Sequence, residues 1–105
     1  MPVYVMLSTL SPAGVETLRD HPERLRGVNQ EVEAMGAKVL AQYAVLGEFD
    51  FINILEAPDE KTIARIAVEL GARGTMKTQT FTAIPVDEFL NMLEQAKAVR
   101  LEKQS

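Results

Sequence analysis

The sequence predicts an α+β fold in which an antiparallel sheet carries helices on one of its faces. Runs with strand-like alternation are separated by runs with helical spacing, in the order strand, helix, strand, strand, helix, strand, helix. A glycine-led loop between the second and third strand-like runs predicts a hairpin. Right-handed crossovers on either side of that hairpin give a ferredoxin-like βαββαβ sandwich with an extra C-terminal helix.

The first half of the chain begins with a strand at Val3 to Leu10. Ser11 and Pro12 then have the residue types of a helix cap and first turn, and the second proline, Pro22, predicts a break just before it. A longer helix follows and ends at Gly36. One apolar stripe is predicted to face the core, formed by Leu18, Leu25, Val28, Val32 and Met35.

The second half supplies three strands and two helices. Strands at Val39 to Leu46 and Phe49 to Glu56 are joined by the pair Gly47-Glu48, which fits a type II′ turn. A helix opens at Pro58-Asp59, with a buried face formed by Ile63, Ile66, Ala67 and Leu70. A threonine-rich strand runs from Thr75 to Ile84. The last helix is lined by Val86, Phe89, Leu90, Leu93 and Ala96.

Size and composition bound the function. With 105 residues and 47% hydrophobic content, we expect one domain over 1–105, with a core at about 1–89 and a C-terminal helix at 86–102. A net charge of −4 argues against nucleic-acid binding. The absence of cysteine excludes disulfides and thiolate sites and fits a cytoplasmic protein. No signal peptide or membrane-spanning run is apparent, so we expect no membrane contact.

Alternation along the strands predicts one covered face and one open face of the sheet. The predicted helix-facing residues are Val3, Val5, Leu7, Val39, Ala41, Val45, Ile52 and Ile54; the predicted opposite face carries Tyr4, Met6, Ser8, Leu40, Gln42, Ala44, Phe51, Asn53 and Leu55. That opposite face is too apolar to remain in water, so a second copy of the chain is predicted to cover it. Its polar side chains would then line a ligand cavity between paired sheets or bond one another across the dimer.

Three stretches resemble the GYD domain family: "MPVYVMLSTLSPAGVETLRDHPERL", "MGAKVLAQYAVLGEFDFINILEAPDE" and "GTMKTQTFTAIP". The corner that gives the family its name corresponds to Gly47, Phe49 and Asp50, with phenylalanine where tyrosine is usual, so a phenolic role is absent at this corner. The resemblance implies a dimeric α/β barrel and brings no established reaction. The last three-fifths of the chain also resembles the effector-binding modules of Lrp/AsnC-type regulators, which assemble as dimers and rings.

The candidate ligand-binding residues are Tyr4, Ser8, Gln42, Phe51, Asn53 and Asp50, with Gly47 and Phe49 as a structural corner. Asp50 either accepts backbone N–H bonds from a neighbouring loop or anchors a ligand. His21, the single histidine, is predicted to cap a helix or lie at the surface, with a proton-transfer role left open. No metal-ligand, nucleophile, phosphate-loop or dinucleotide motif is present, so no metal, catalytic set or cofactor is predicted.

Two functions follow as hypotheses. The first is a homodimer or dimer-based larger oligomer that binds or senses a small molecule. The alternative is a cofactor-independent enzyme of the monooxygenase or isomerase kind, to which the dimeric α/β barrel resemblance points. In that case Tyr4, Asn53, Gln42 or His21 would polarise a bound carbonyl or aromatic compound.

Overall fold

A four-stranded antiparallel sheet forms the centre of the molecule. The computed structural model describes residues 1–104, and the strand order is β2-β3-β1-β4, with each neighbouring pair antiparallel. The strands are β1 (Val3–Leu10), β2 (Lys38–Ala44), β3 (Phe51–Glu56) and β4 (Met76–Ala83). This order is that of the ferredoxin-like sandwich, so the predicted fold is confirmed.

The helices are α1 (Pro12–Asp20), α2 (Arg24–Ala34), α3 (Glu60–Gly71) and α4 (Val86–Gln104). Ser11 caps α1 by accepting the Gly14 N–H at 3.1 Å, and Asp59 caps α3 by accepting the Thr62 N–H at 2.9 Å. The predicted break before Pro22 is confirmed, because α1 ends at Asp20 and α2 starts at Arg24. Gly36 ends the segment with a φ of +106°, which favours glycine.

The hydrophobic core lies between α2, α3 and one face of the sheet. Its buried apolar residues are Tyr4, Met6, Val32, Ala37, Leu55, Ala57, Ile63, Ile66 and Leu70. Ile63, Ile66 and Leu70 come from α3, as their helical spacing predicts. Val28 and Met35 of α2 pack against this cluster, so the predicted apolar stripe of α2 faces the core.

The predicted assignment of the two sheet faces is wrong. Tyr4, Met6 and Ser8 of β1 are buried beneath the helices, and so are Phe51, Asn53 and Leu55 of β3. Val3, Val5, Leu7, Ile52 and Ile54, predicted to face the helices, lie on the other side. Both alternating sets are largely apolar, so period-two alternation identifies two faces without identifying the covered one.

In β2 the alternation itself changes. The register of β2 against β3 shifts between Val39 and Ala41, which marks a β-bulge at Leu40. Val39 packs against the core as predicted, whereas beyond the bulge Ala41 pairs with Ile54 on the uncovered side. We call the uncovered side the open face; its large apolar residues are Val3, Val5, Leu7, Tyr43, Ile52, Ile54 and Phe81.

The connection between β2 and β3 is longer than predicted. The strands end at Ala44 and begin again at Phe51, so residues 45–50 form the loop instead of a two-residue hairpin. Gly47 does adopt a φ of +130°, a conformation that glycine accepts without strain. Glu48 is exposed at this loop, as predicted.

The last helix extends away from the sheet. Each residue of α4 from Val86 to Lys103 is exposed, and the molecule is 66 Å in its longest dimension against 29 and 19 Å in the others. The exposed apolar side chains of α4 are Val86, Phe89, Leu90, Met92, Leu93, Val99 and Leu101. None of them belongs to the hydrophobic core of the described protomer.

Candidate ligand-binding site

Four polar side chains form a continuous hydrogen-bonded line on the covered face of the sheet. Asn53 Nδ2 donates to the Met6 carbonyl at 2.8 Å and to Ser8 Oγ at 3.0 Å. Gln42 Nε2 donates to Asn53 Oδ1 at 2.7 Å and to Asn29 Oδ1 at 3.2 Å. Asn29 Nδ2 donates back to Gln42 Oε1 at 2.8 Å. We call Ser8, Asn29, Gln42 and Asn53 the polar relay.

Strand order explains why the relay forms. Because β3 lies between β2 and β1, Asn53 is paired with Gln42 on one side and with Met6 on the other. Helix α2 crosses above β2 and brings Asn29 to the outer end. Buried amides need hydrogen-bond partners, and here the relay residues supply them to each other.

The relay lines a cavity between the sheet and helices α1 and α2, with a volume of about 270 Å³. Most of its walls are apolar: Met6, Leu10, Leu18, Leu25, Val28, Val32, Val39, Phe51, Leu55, Leu70 and Met76. Ser8 and Asn53 are buried at its floor, while Arg24 and Arg73 are exposed and mark its mouth. An apolar cleft with a few convergent polar groups is the usual make-up of a small-molecule site.

The corner after β2 is tied to the end of β1. Asp50 Oδ2 accepts the Leu10 N–H at 2.7 Å. The Asp50 N–H donates to the Ser8 carbonyl at 2.8 Å, and its carbonyl accepts the Val45 N–H at 2.8 Å. Of the two roles considered for Asp50, the bond from the Leu10 N–H matches the structural one, in which the carboxylate accepts a backbone N–H group.

The sequence profile of the GYD domain matches residues 4–93, most of the chain. The chain belongs to the GYD domain family. This confirms the predicted family membership. The profile covers all four strands, the cavity and the corner at Gly47 and Asp50, and it ends inside α4.

A relative of this GYD domain protein carries a functional name. The chain is 50% identical over 95 residues to a protein of Thermus thermophilus named "Glutamine synthetase and cystathionine beta-lyase binding protein". The match covers 90% of this chain and 100% of the relative. The name describes that relative as a protein that binds two enzymes.

Solved structures share the fold of the GYD domain protein at low sequence identity. A crystal structure of a protein named FFRP-DM1 superposes with a TM-score of 0.54 at 23% identity and covers 80% of this chain and 100% of that one. The crystal structure of the Thermus thermophilus protein TTHA0845 superposes with a TM-score of 0.52 at 16% identity, over 81% and 95% of the two chains. At these identities, the comparison supports the fold alone.

Four of the predicted ligand-binding residues meet in one cavity. Ser8, Gln42, Phe51 and Asn53 all line it. The predicted location between two paired sheets is wrong, however, because these side chains lie under the protomer's own helices. The polar side chains among them were predicted to lie on the face toward solvent or a second protomer. Their hydrogen bonds to one another allow them to be buried on the covered face instead.

Tyr4 and Asp50, also predicted to bind a ligand, lie outside the cavity lining. Tyr4 is 3% exposed and belongs to the hydrophobic core. Burial raises the pKa of its phenol above the usual value, and the negative charges of Glu60 and Asp59 raise it further. Phe49, from the predicted structural corner, is half-buried in the loop.

His21 lies at the junction of α1 and α2, away from the cavity lining. Its backbone N–H donates to the Thr17 carbonyl at 2.7 Å as the C-cap of α1, which is the predicted capping position. Its exposed Nδ1 is 3.5 Å from Glu23 Oε1. A proton-transfer role in the cavity has no geometric support from this position.

Sequence reasoning missed the contribution of α2 to the site. Asn29 follows Val28 and is four residues after Leu25, so it lies on the buried side of an amphipathic helix. A polar residue in an apolar stripe is the signal that was available. Arg24 and Arg73 gave no such signal, since Arg24 lies in a stretch of mixed charge and Arg73 lies in a short glycine-flanked segment after α3.

Residues 1–104 contain neither a cluster of metal-ligand side chains nor a membrane-spanning helix. No group of three or more histidine, cysteine, aspartate or glutamate side chains is arranged to hold a metal ion in that part of the chain. No helix within the same residues is long and apolar enough to cross a membrane.

Proposed function

We propose that this GYD domain protein acts by binding other proteins, and that its partners are metabolic enzymes such as glutamine synthetase or cystathionine beta-lyase. The observation that carries the proposal is the relative named for binding these two enzymes, which is 50% identical across its whole length. The exposed apolar residues of α4 and of the open face offer surface for such contacts.

The direct test uses purified proteins. The chain is immobilised, and glutamine synthetase and cystathionine beta-lyase from its own organism are passed over it separately. We expect saturable binding to at least one enzyme with a Kd in the micromolar range or tighter, that is about −8 kcal/mol. The Thermus relative with its own enzymes is the positive control. Binding by the relative but not by this chain would contradict the proposal.

We further propose that the protein is a homodimer or a dimer-based larger oligomer that assembles through the open face. Tyr43 and Phe81 on this face are 62% and 51% exposed, and five further aliphatic side chains lie beside them. The aliphatic side chains are already largely covered, so a dimer adds to each only a small part of the roughly 1.5–3 kcal/mol that full burial of a large apolar side chain contributes. A contiguous apolar patch of this kind supports a protein–protein contact on the open face.

A charge placed on the open face tests the assembly. Phe81 lies on the edge strand β4, so Phe81→Lys is expected to leave the protomer folded and to convert the oligomer to a monomer at micromolar concentration. Val68→Lys is the matched control, since Val68 is 71% exposed on α3, away from the open face. Light scattering coupled to gel filtration measures both masses. A wild-type monomer would contradict the proposal.

A second candidate function, binding or sensing of a small molecule, is favoured by the cavity and its polar relay. Among the described residues that line the cavity, the titratable side chains are two arginines, Arg24 and Arg73. This part of the chain contributes no histidine, carboxylate, lysine or tyrosine to the lining. A cavity without a group that titrates near neutral pH suits binding better than general acid–base catalysis. This observation supports a binding protein over the alternative of a monooxygenase- or isomerase-like enzyme.

A panel of small metabolites tests this second function through the unfolding temperature. We expect at least one compound to raise it in the wild type. Leu25→Trp, which places an indole in the cavity, is expected to abolish the shift, whereas Val68→Trp on the exposed face of α3 preserves it. A shift that survives Leu25→Trp unchanged would locate the binding elsewhere. Turnover of a bound compound that is lost in Asn53→Ala would favour the enzymatic alternative.

A further inference from the structure

The charged side chains in the cavity lining are both arginines. Arg24 and Arg73 belong to its lining, and no aspartate or glutamate of the described chain does. The whole chain has 15 acidic and 11 basic residues, so the cavity wall departs from the average charge of the protein. A cleft with apolar walls and one sign of charge concentrates ions of the opposite sign.

The two arginines differ in their availability. Arg73 Nη2 is hydrogen-bonded to Glu31 Oε2, so much of its charge is already compensated. Arg24 is exposed and forms no ion pair with another described residue. Its guanidinium therefore has its full set of donors available to an anion at the cavity mouth.

The floor of the cavity has one unused donor. Both Nδ2 hydrogens of Asn53 are donated, to the Met6 carbonyl and Ser8 Oγ, and both Nε2 hydrogens of Gln42 are donated, to Asn53 and Asn29. Ser8 Oγ accepts from Asn53, and its own hydroxyl hydrogen has no acceptor among the described residues. Ser8 is 4% exposed, so this donor is buried and available at the cavity wall.

The space between these two groups is small and apolar. Its volume of about 270 Å³ lies at the small end of the roughly 300–1,000 Å³ found for small-molecule pockets, which suits a small organic acid. Leu25, Val28 and Phe51 line it between the mouth and the floor. A single planar guanidinium can pair with a carboxylate through two parallel hydrogen bonds, and the apolar walls suit an organic body more than a bare inorganic anion.

We infer that the cavity binds a small organic carboxylate with an apolar body. Its carboxylate pairs with Arg24 at the mouth, its body packs between the apolar walls, and an acceptor atom at its far end takes the hydrogen bond from Ser8. This inference deepens the proposed small-molecule function and rests on it. It assigns Arg24 and Ser8 as the residues that determine specificity.

Matched pairs of acids and amides test the inference. Benzoate with benzamide, and 4-hydroxybenzoate with 4-hydroxybenzamide, have the same shape and differ in charge. Binding is followed by the backbone amide shifts of cavity residues in two-dimensional NMR spectra of the full chain. We expect each acid to bind at least tenfold more tightly than its amide, with an affinity that falls as salt is added.

Two arginine variants locate the charge. Arg24→Gln is expected to remove the acid-over-amide preference. Arg26→Gln removes one positive charge from an exposed position on the same helix, outside the cavity lining. This variant is expected to keep the preference for the acid. Ser8→Ala is expected to weaken 4-hydroxybenzoate and to leave benzoate unchanged. Circular dichroism confirms that each variant is folded.

The outcomes separate this inference from the function on which it rests. Acids and amides that bind the cavity equally well would overturn the carboxylate inference and leave the small-molecule function intact. Shifts confined to residues outside the cavity, or no binding by any pair up to about 10 mM, which corresponds to roughly −3 kcal/mol, would also overturn the carboxylate inference. A metabolite panel in which no compound raises the unfolding temperature would overturn both. An acid preference that persists in Arg24→Gln would overturn the assignment of Arg24.

Discussion

Asn53 is the central member of the polar relay, and its replacement by alanine tests whether the relay stabilises the fold. The change removes three hydrogen bonds at once, those to the Met6 carbonyl, Ser8 Oγ and Gln42 Nε2. A buried group left without its partner costs about 1–3 kcal/mol. Water in the adjoining cavity can replace part of each bond, so the lower end of that range, about 1 kcal/mol, applies to each of the three bonds. We expect Asn53→Ala to lower the free energy of unfolding by about 3 kcal/mol.

Urea denaturation followed by circular dichroism measures this loss. For a domain of this size, with a slope of about 1–2 kcal/mol per molar urea, the midpoint is expected to fall by roughly 2 M. Protein concentration is held constant, because the proposed oligomerisation would also contribute to apparent stability. A loss below about 1 kcal/mol would refute the reasoning, since it would mean that the three bonds contribute little beyond what water supplies.

A neighbouring variant separates the relay from a simple packing effect. Gln42→Ala removes the bonds of Gln42 to Asn53 and Asn29 but leaves Asn53 bound to Met6 and Ser8. Gln42 is only half-buried, so we expect a loss about half as large. Because the two residues share a bond, the double variant should lose less than the sum, by about 0.5–1 kcal/mol. Strict additivity would mean that the relay is not a unit.

Three further predictions concern the elements that hold the cavity in place. Gly14→Ala is expected to destabilise the protein by about 1–3 kcal/mol in urea denaturation, because a Cβ at this buried position would lie 2.1 Å from the Thr75 carbonyl oxygen. Ile66→Ala is expected to cost about 2–5 kcal/mol in the same assay, because Ile66 is 0% exposed. Hydrogen bonds from Thr62 hold the pKa of Asp59 below its usual value. The stabilisation of the fold by the ionised Asp59 is therefore present above the unfolded-state pKa and is lost as the pH falls through the folded-state pKa. The difference in unfolding temperature between wild type and Asp59→Ala should accordingly disappear in acid.

The fold was predictable because each element carries a local signal. Pro22 interrupts the first helical region, and the apolar spacing of α3 identifies its buried side. The covered face of the sheet was not predictable, because β1 and β3 have large apolar side chains on both sides. The bulge at Leu40 added a further error, since one extra residue exchanges the two faces of a strand. The cavity itself depends on how α1 and α2 sit above the sheet, which no local pattern encodes.

The correction of the faces changes how assembly and ligand binding relate. With the face assignment predicted from the sequence, one space between two protomers would serve both functions. In the structure β3 separates them: Phe51 and Asn53 point to the cavity, while Ile52 and Ile54 lie on the open face. A ligand on one side of this strand and a second protomer on the other share its backbone. Any coupling between the two must be reciprocal, so if one bound ligand tightens the dimer tenfold, that ligand must bind the dimer tenfold more tightly than the monomer. If the proposed dimer forms, ligand affinity measured in the wild type and in Phe81→Lys, the variant expected to be monomeric, therefore determines whether ligand binding and assembly are coupled. Equal affinities would mean that the two faces of the sheet act independently.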